Sequence, residues 1–256
     1  MGHDSRYFIE SLGRGLSILE AFTEDNPCQN LVEIAAAVEL DKSTTFRFVY
    51  TLESLGYLER DPESKRYRPG LKVLKLGFTA LNSLDLAQLA GPRLKALSNQ
   101  SGETVNMAVR DGIETVYIVR ISPRQVVNIN LQLGSRLPVH CTAMGKILLI
   151  DLSRDELLEL LGPGPYEAFT PNTITTFEGL AADVTTARER SYAISDEEFA
   201  IGLCSVAAPI RGTDGQIVAA INISAPSARL TGGELEGQLA AMVVETAHDI
   251  STAIGE

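Results

Sequence analysis

The chain is poor in several features, and each absence narrows what it can be. It has three cysteines in 256 residues, at Cys28, Cys141 and Cys204. An odd, widely spaced set excludes a disulfide framework and fits a reduced, cytoplasmic compartment. No apolar run approaches the roughly 20 residues of a membrane helix, and mean hydropathy is only +0.06, so no membrane partner is expected. The opening Met1-Gly-His-Asp-Ser-Arg lacks the basic-then-apolar order of a signal peptide. Internal repeats, low-complexity tracts and heptad arrays are missing, which excludes solenoids and coiled coils. Cys28, Cys204, His3 and His248 show no metal-ligand spacing, so neither a metal nor a cofactor is expected.

Positive charge is also scarce. Lys and Arg number 22 against 33 Asp and Glu, a net charge of −11. That average argues against a nucleic-acid partner, but the distribution is uneven. Residues 1–41 hold two basic and eight acidic side chains; residues 42–77 hold eight basic and four acidic, a local +4; the remainder carries −9. The composition is otherwise ordinary, with 45% apolar and 21% charged residues, and the length suits one large domain or two medium ones.

Helical periodicity dominates the first 80 residues. Leu12, Leu16, Leu19 and Phe22 form an apolar stripe that ends at Asn26-Pro27. Leu31, Ile34, Ala35 and Val38 form a second, short one. Asp41 reads as the N-cap of a third helix, with Thr45, Phe48, Val49, Leu52 and Leu55 inward and Gly56 as its C-cap. Residues 57–60 and 66–68 read as short strands joined by the turn chemistry of 61–65. Three helices and a two-stranded ribbon describe a winged helix-turn-helix over 1–70. A connector follows over 71–90, with one stripe at Leu71, Leu74, Phe78 and Leu81 and another at Val73, Leu76 and Ala80. A helix apolar on two sides implies packing against a second copy of the chain. From 91 to 256 the pattern is α+β. Strands are expected at 105–109, 113–120, 127–133, 203–210 and 216–224, and helices at 143–151, 154–161, 177–190 and 231–254.

A helix that enters the DNA major groove presents small polar and basic groups near its N-terminal end. Lys42, Ser43, Thr44, Thr45 and Arg47 do so, and Thr44, Arg47 and Thr51 share one face at spacings of three and four. Arg grips guanine bidentately, and Ser and Thr bond phosphates or base edges. Lys65, Arg66 and Arg68 on the hairpin supply cations for the backbone, and Arg14 adds a phosphate or minor-groove contact. The rival reading is a solvated helix face and a charged turn; the ordered set of short helix, tight turn, Ser/Thr-rich helix and basic hairpin favours DNA.

The runs 11–19, 31–35, 41–47, 52–58 and 70–77 together resemble the IclR-type transcriptional regulators, and the likeness extends over nearly the whole chain. It implies a winged helix-turn-helix, a linker helix and a GAF-like effector-binding domain. It also implies palindromic operator DNA bound by a homodimer or homotetramer, a small carboxylic-acid effector, and no enzyme activity. The N-terminal half is similar to the branch that controls aromatic-acid catabolism.

Two local patterns fit an effector site. On the strand 216–224, Asn222 and Ser224 share a face with Val218 and Ala220; they form either a buried polar pair or a face running out to solvent. Residues 142–146 open a helix whose free N–H groups suit a carboxylate. It is no Walker loop, because His140 stands where the upstream glycine belongs. The resemblance joins these pieces. It places polar effector contacts at Ser195, Ser205, Asn222 and Ser224, and apolar or backbone contacts at Val126, Ile129, Leu137, Ala143 and Met144. Some members carry Asp, Cys and Ser where Ser195, Ser205 and Asn222 stand, which points to a different effector here.

The alternative is a non-DNA small-molecule sensor or a thiol-dependent enzyme. His140 beside Cys141 invites it, but neighbours in an extended strand face opposite ways, so Cys141 is expected to line a pocket or core. Asp196-Glu197-Glu198 is expected to be a solvated loop or cap.

Overall fold

A computed structural model describes residues 7–23, 25–82, 85–123 and 131–255. The chain divides into two compact units, 1–83 and 84–256.

The first unit holds α1 (Glu10–Glu20), α2 (Leu31–Ala37), α3 (Lys42–Ser54), β1 (Leu58–Arg60), β2 (Tyr67–Pro69) and α4 (Leu71–Asn82). Caps fix its short helices. Asn30 accepts from Val32 and Glu33 N–H while Glu33 reaches back to the Asn30 N–H, a capping box. Asp41 accepts from the N–H groups of Ser43 and Thr44 at 3.0 Å, and Gly56, at φ +79°, closes the helix. The core is Ile18, Ile34, Val49, Leu58 and Tyr67, with Leu19, Phe22, Leu31, Val38, Phe48 and Leu52 packed around it. The stripe expected on α1 is therefore only half right. Leu12 and Leu16 are exposed and Ile18 is buried, because α3 covers a face rotated from theirs. Leu55 is exposed too, since it lies beyond the last turn of α3. Leu71, Leu74 and Leu76 on α4 are exposed; the side chains of Phe78, Ala80 and Leu81 lie outside what is described.

The second unit is built on a six-stranded antiparallel sheet in the order β5-β4-β3-β8-β7-β6. Its strands are β3 (Thr104–Asp111), β4 (Glu114–Ile121), β5 (Arg136–Pro138), β6 (Ala193–Asp196), β7 (Leu203–Arg211) and β8 (Ile217–Pro226). α5 (Asp85–Ser101) and α9 (Ala240–Ile254) pack against one face of the sheet; α6 (Ala143–Ile147) and α8 (Phe177–Arg190) pack against the other, with α7 (Arg154–Leu161) beside α8. Coverage of both faces explains why the middle strands are buried along their length.

Several expected elements change. The connector is helical on both sides of residues 83 and 84, as α4 and α5, and those two residues lie outside the described ones. The helix expected at 143–151 stops at Ile147, and the helix expected at 231–254 begins as a π-helical segment, Leu235–Leu239, before α9. Of the strand expected at 127–133, residues 127–130 lie outside the described residues, and 131–134 contain a turn at Gly134 instead of a strand. Gly145 is required where α6 leaves the preceding 3-10 turn, Val139–Cys141: a Cβ there would lie 2.2 Å from the Val139 carbonyl oxygen.

Candidate functional site

In the first unit, α1 and α3 border an open groove of about 730 Å³ lined by Arg14, Thr44, Phe46, Arg47, Tyr50 and Thr51 among others. The face anticipated for Thr44, Arg47 and Thr51 is thus a single surface. Lys42, Ser43 and Arg47 are exposed. Thr45 does not belong with them: it is buried, and its hydroxyl donates to the Asp41 carbonyl at 2.9 Å. It lies one residue past the polar face, so the helical rotation turns it into the core. The exposed rings of Phe46 and Tyr50, 6.2 Å apart, were not anticipated on this face. Hydrogen bonds from Thr44 and Ser43 hold the Asp41 carboxyl below its ordinary range, so the cap stays charged at neutral pH.

The hairpin cations are tethered. Arg66 donates to the Cys28 carbonyl and to Glu33 at 2.7 Å, pinning the hairpin to α2. Arg68 pairs with Glu59 and Arg14 with Glu10, each at 3.0 Å. Lys65 folds back on the Pro62 carbonyl at 2.6 Å. Exposed pairs like these contribute little to stability.

In the second unit, Leu137, Ser195, Ser205, Asn222 and Ser224 come together around one small cavity, with Cys141 and Thr142 at the start of α6. Ala143 and Met144 are fully buried and are not among its lining residues. Val126 and Ile129 lie outside the described residues. The cavity is about 20 Å³, room for about one water molecule. Asn222 is buried and does not face solvent: its Nδ2 donates to Ser224 Oγ at 3.0 Å, and its Oδ1 accepts from Asn106 Nδ2 at 2.8 Å. Asn106 in turn accepts from Arg120 at 3.1 Å. Reading the sequence missed Asn106 and Arg120, which do not line the cavity but bond behind it. The signal was present, since Asn106 is the polar member between Val105 and Met107 on a strand buried at all three positions.

Glu198 corrects the solvated-loop expectation. It is buried, and Lys146 Nζ, itself buried, contacts Glu198 and Asp183 at 2.5 Å and donates to the Ile194 carbonyl at 3.0 Å. Burial raises the Glu198 carboxyl and Lys146 opposes that rise. The ion cluster clamps α6 to the segment carrying Glu198 and Phe199, which borders the cavity.

His140 and Cys141 lie on the 3-10 turn and not on an extended strand. His140 Nε2 is engaged with the Glu167 carbonyl at 2.9 Å, and burial pushes the Cys141 thiol up to about 12. Burial, then Asp196, pushes the Cys204 thiol up to about 12 as well, and its Sγ donates to Asp196 Oδ1. A nucleophile requires thiolate, and burial works against it at both thiols. Asp196, Glu197 and Cys204 bring their ligand-type atoms within 4.8 Å of one another, and the Cys204 proton is engaged with Asp196 Oδ1.

A capped polar helix beside a short antiparallel hairpin, followed in the chain by a helix-covered sheet with a buried polar patch, defines a two-part DNA-binding regulator. Family models agree: the IclR helix-turn-helix domain matches residues 11–62 and the bacterial transcriptional regulator IclR C-terminal matches residues 78–252. The chain belongs to the IclR family of transcriptional regulators. It is 36% identical over 246 residues to the HTH-type transcriptional repressor AllR of Escherichia coli, covering 96% of this chain and 90% of that one. It is similar to the solved IclR of Thermotoga maritima, with 29% identity, TM-score 0.74, and coverage of 97% of this chain and 100% of that one. An IclR homolog of Microbacterium hydrocarbonoxydans, solved in complex with 4-hydroxybenzoate, is 25% identical at TM-score 0.83, covering 96% and 99%. No described helix is long and apolar enough to cross a membrane.

Proposed function

We propose that the protein is a cytoplasmic, effector-responsive regulator that binds a palindromic operator as a dimer or tetramer. α3 enters the major groove with Lys42, Ser43, Thr44 and Arg47, while Arg14, Lys65, Arg66 and Arg68 contact the backbone. Exposed Leu12, Leu16, Leu71, Leu74 and Leu76 supply an apolar surface for self-association. A small carboxylic acid, aromatic or keto, occupies the cavity formed by Ser195, Ser205, Asn222 and Ser224.

The observation that carries the effector half is the buried polar patch beside the start of α6: hydrogen-bonding side chains converge on a cavity that is nearly closed. The complex of a family member with 4-hydroxybenzoate supports the choice of an aromatic acid. Because the resting cavity holds about one water, acid binding selects a more open state, and operator affinity shifts by the ligand's differential affinity for the two states.

The test is a thermal-shift screen of aromatic and keto acids, followed by operator titrations across salt with and without any hit. A hit raises the melting temperature, and operator affinity falls steeply with salt. A chain with no salt-dependent DNA affinity refutes the regulatory half; a screen in which no acid binds refutes the effector class.

A further inference from the structure

We infer that Arg120 is a positioning residue that sets the hydrogen-bond polarity of the pocket through Asn106 and Asn222. Ser224 then presents a hydroxyl donor and selects effectors bearing an acceptor oxygen, carboxylate or carbonyl, at that end. This rests on the reading of the cavity as the effector site.

The groups stand in one row across three strands. Arg120 on β4 is opposite Asn106 on β3, which is opposite Asn222 on β8; Ser224 is the next residue on the same face of β8. A carboxamide carries an acceptor at one end and donors at the other, and its orientation follows from its neighbours. Guanidinium is donor-only, so only Oδ1 of Asn106 can face Arg120, and Nη1 donates to it at 3.1 Å. Asn106 Nδ2 is then turned to β8, where it donates to Asn222 Oδ1 at 2.8 Å. That leaves Asn222 Nδ2 to donate to Ser224 Oγ at 3.0 Å. Asn106 Nδ2 also lies 3.5 Å from the same oxygen. Ser224 Oγ therefore accepts, and among the described residues it donates to no group. Its proton is left for the cavity it lines. Asn106 and Asn222 are almost fully buried, so water does not scramble the relay.

The opposite wall has the reverse polarity. Ser195 Oγ donates to the Cys141 carbonyl at 3.2 Å, so it meets a ligand with a lone pair. Ser195 and Ser224 lie on β6 and β8, two strand spacings apart, about 10 Å. A molecule with an acceptor oxygen at one end and a hydroxyl at the other satisfies both.

The experiment reverses the relay. In Asn106→Asp, both carboxylate oxygens accept; Asn222 must turn Nδ2 toward residue 106, and its Oδ1 takes the Ser224 proton. Ser224 then offers only a lone pair to the cavity. The full-length protein is titrated calorimetrically with 4-hydroxybenzoate, with 4-hydroxybenzaldehyde (acceptor-only and uncharged at that end) and with 4-hydroxybenzylamine (a donor-only ammonium). Wild type prefers the acid and the aldehyde to the amine. Asn106→Asp lowers the affinity of both acceptor probes about tenfold or more, the worth of a hydrogen bond lost against a lone pair. The uncharged aldehyde separates this loss from simple repulsion by the new charge. Arg120→Lys, which keeps a donor-only cation, stays near wild type. An aldehyde affinity unchanged in Asn106→Asp overturns the inference. If no probe binds wild type, the acid-effector reading fails on its own account. A neutron structure then decides the relay directly: a deuteron on Ser224 Oγ pointing into the cavity supports it, and one pointing at Asn222 overturns it.

Discussion

The two units solve opposite problems. The first has a small apolar core, Ile18, Ile34, Val49, Leu58 and Tyr67, and leaves large apolar side chains such as Phe46, Tyr50, Leu12 and Leu74 exposed. Its cations are held by solvent-facing pairs that cost little to break. The second hides its chemistry: Lys146, Glu198, Asn106, Asn222 and Ser195 are all buried and all partnered. A surface left apolar and weakly paired suits a module that meets other macromolecules. An interior of paired polar side chains, in which Glu103 Oε2, Asp183 Oδ2 and Glu198 Oε2 lack a hydrogen bond among the described residues, suits a module that recognises something small enough to be enclosed.

The sharpest way to break this comparison is to remove the buried cation. Lys146→Met leaves Glu198 and Asp183 without their counter-charge, and loss of one partner of a buried pair costs about 3–5 kcal/mol. Calorimetry should show the melting transition of the second unit fall steeply while that of the first is unmoved; equal shifts in both would show the units to be one cooperative body. Arg47→Ala comes next. Loss of a base-edge contact is worth about 1–3 kcal/mol, so operator binding should collapse in a gel-shift titration with circular dichroism and ligand binding intact. Normal operator affinity would remove α3 from the interface. Asn222→Leu should abolish the effector response in the same assay while leaving effector-free DNA affinity unchanged; a retained response would place the effector elsewhere. The smallest effect is chemical. Cys28 is exposed, whereas burial holds the Cys141 and Cys204 thiols at about 12. A thiol reagent at pH 8 should therefore label Cys28 alone, with the other two reacting only as pH approaches 12. Rapid modification of Cys141 at neutral pH would favour the thiol-dependent reading.

Legibility in the sequence followed the range of the interactions. The Asp41 cap, the Gly56 stop and the hairpin turn at Asp61 were readable, because each is made between residues a few positions apart. The helical stripe on α1 was misread because Leu12, Leu16 and Ile18 have similar apolarity, and only the direction from which α3 approaches decides which is covered. For Thr45 the helical period gives the inward side that the structure shows, while its residue type placed it with Thr44 and Arg47; the period decides. In the second unit Ser195, Ser205, Asn222 and Ser224 were named in advance through the family resemblance, whereas Asn106, which bonds Asn222, and Arg120, which bonds Asn106, were not.

The sequence alone determined the class of protein, the division into a helical head and an α+β body, and the concentration of positive charge in residues 42–77 despite a net −11. These rest on local periodicity, turn chemistry and composition, which need no partner distant in the chain. Only the tertiary structure decided that Glu198 meets Lys146 across 52 positions, and that Asn106 meets Asn222 across 116. Burial turns each of these from an ordinary polar residue into one that must have a partner. Which partner it has is set by strand order and register, and no short stretch of sequence encodes either.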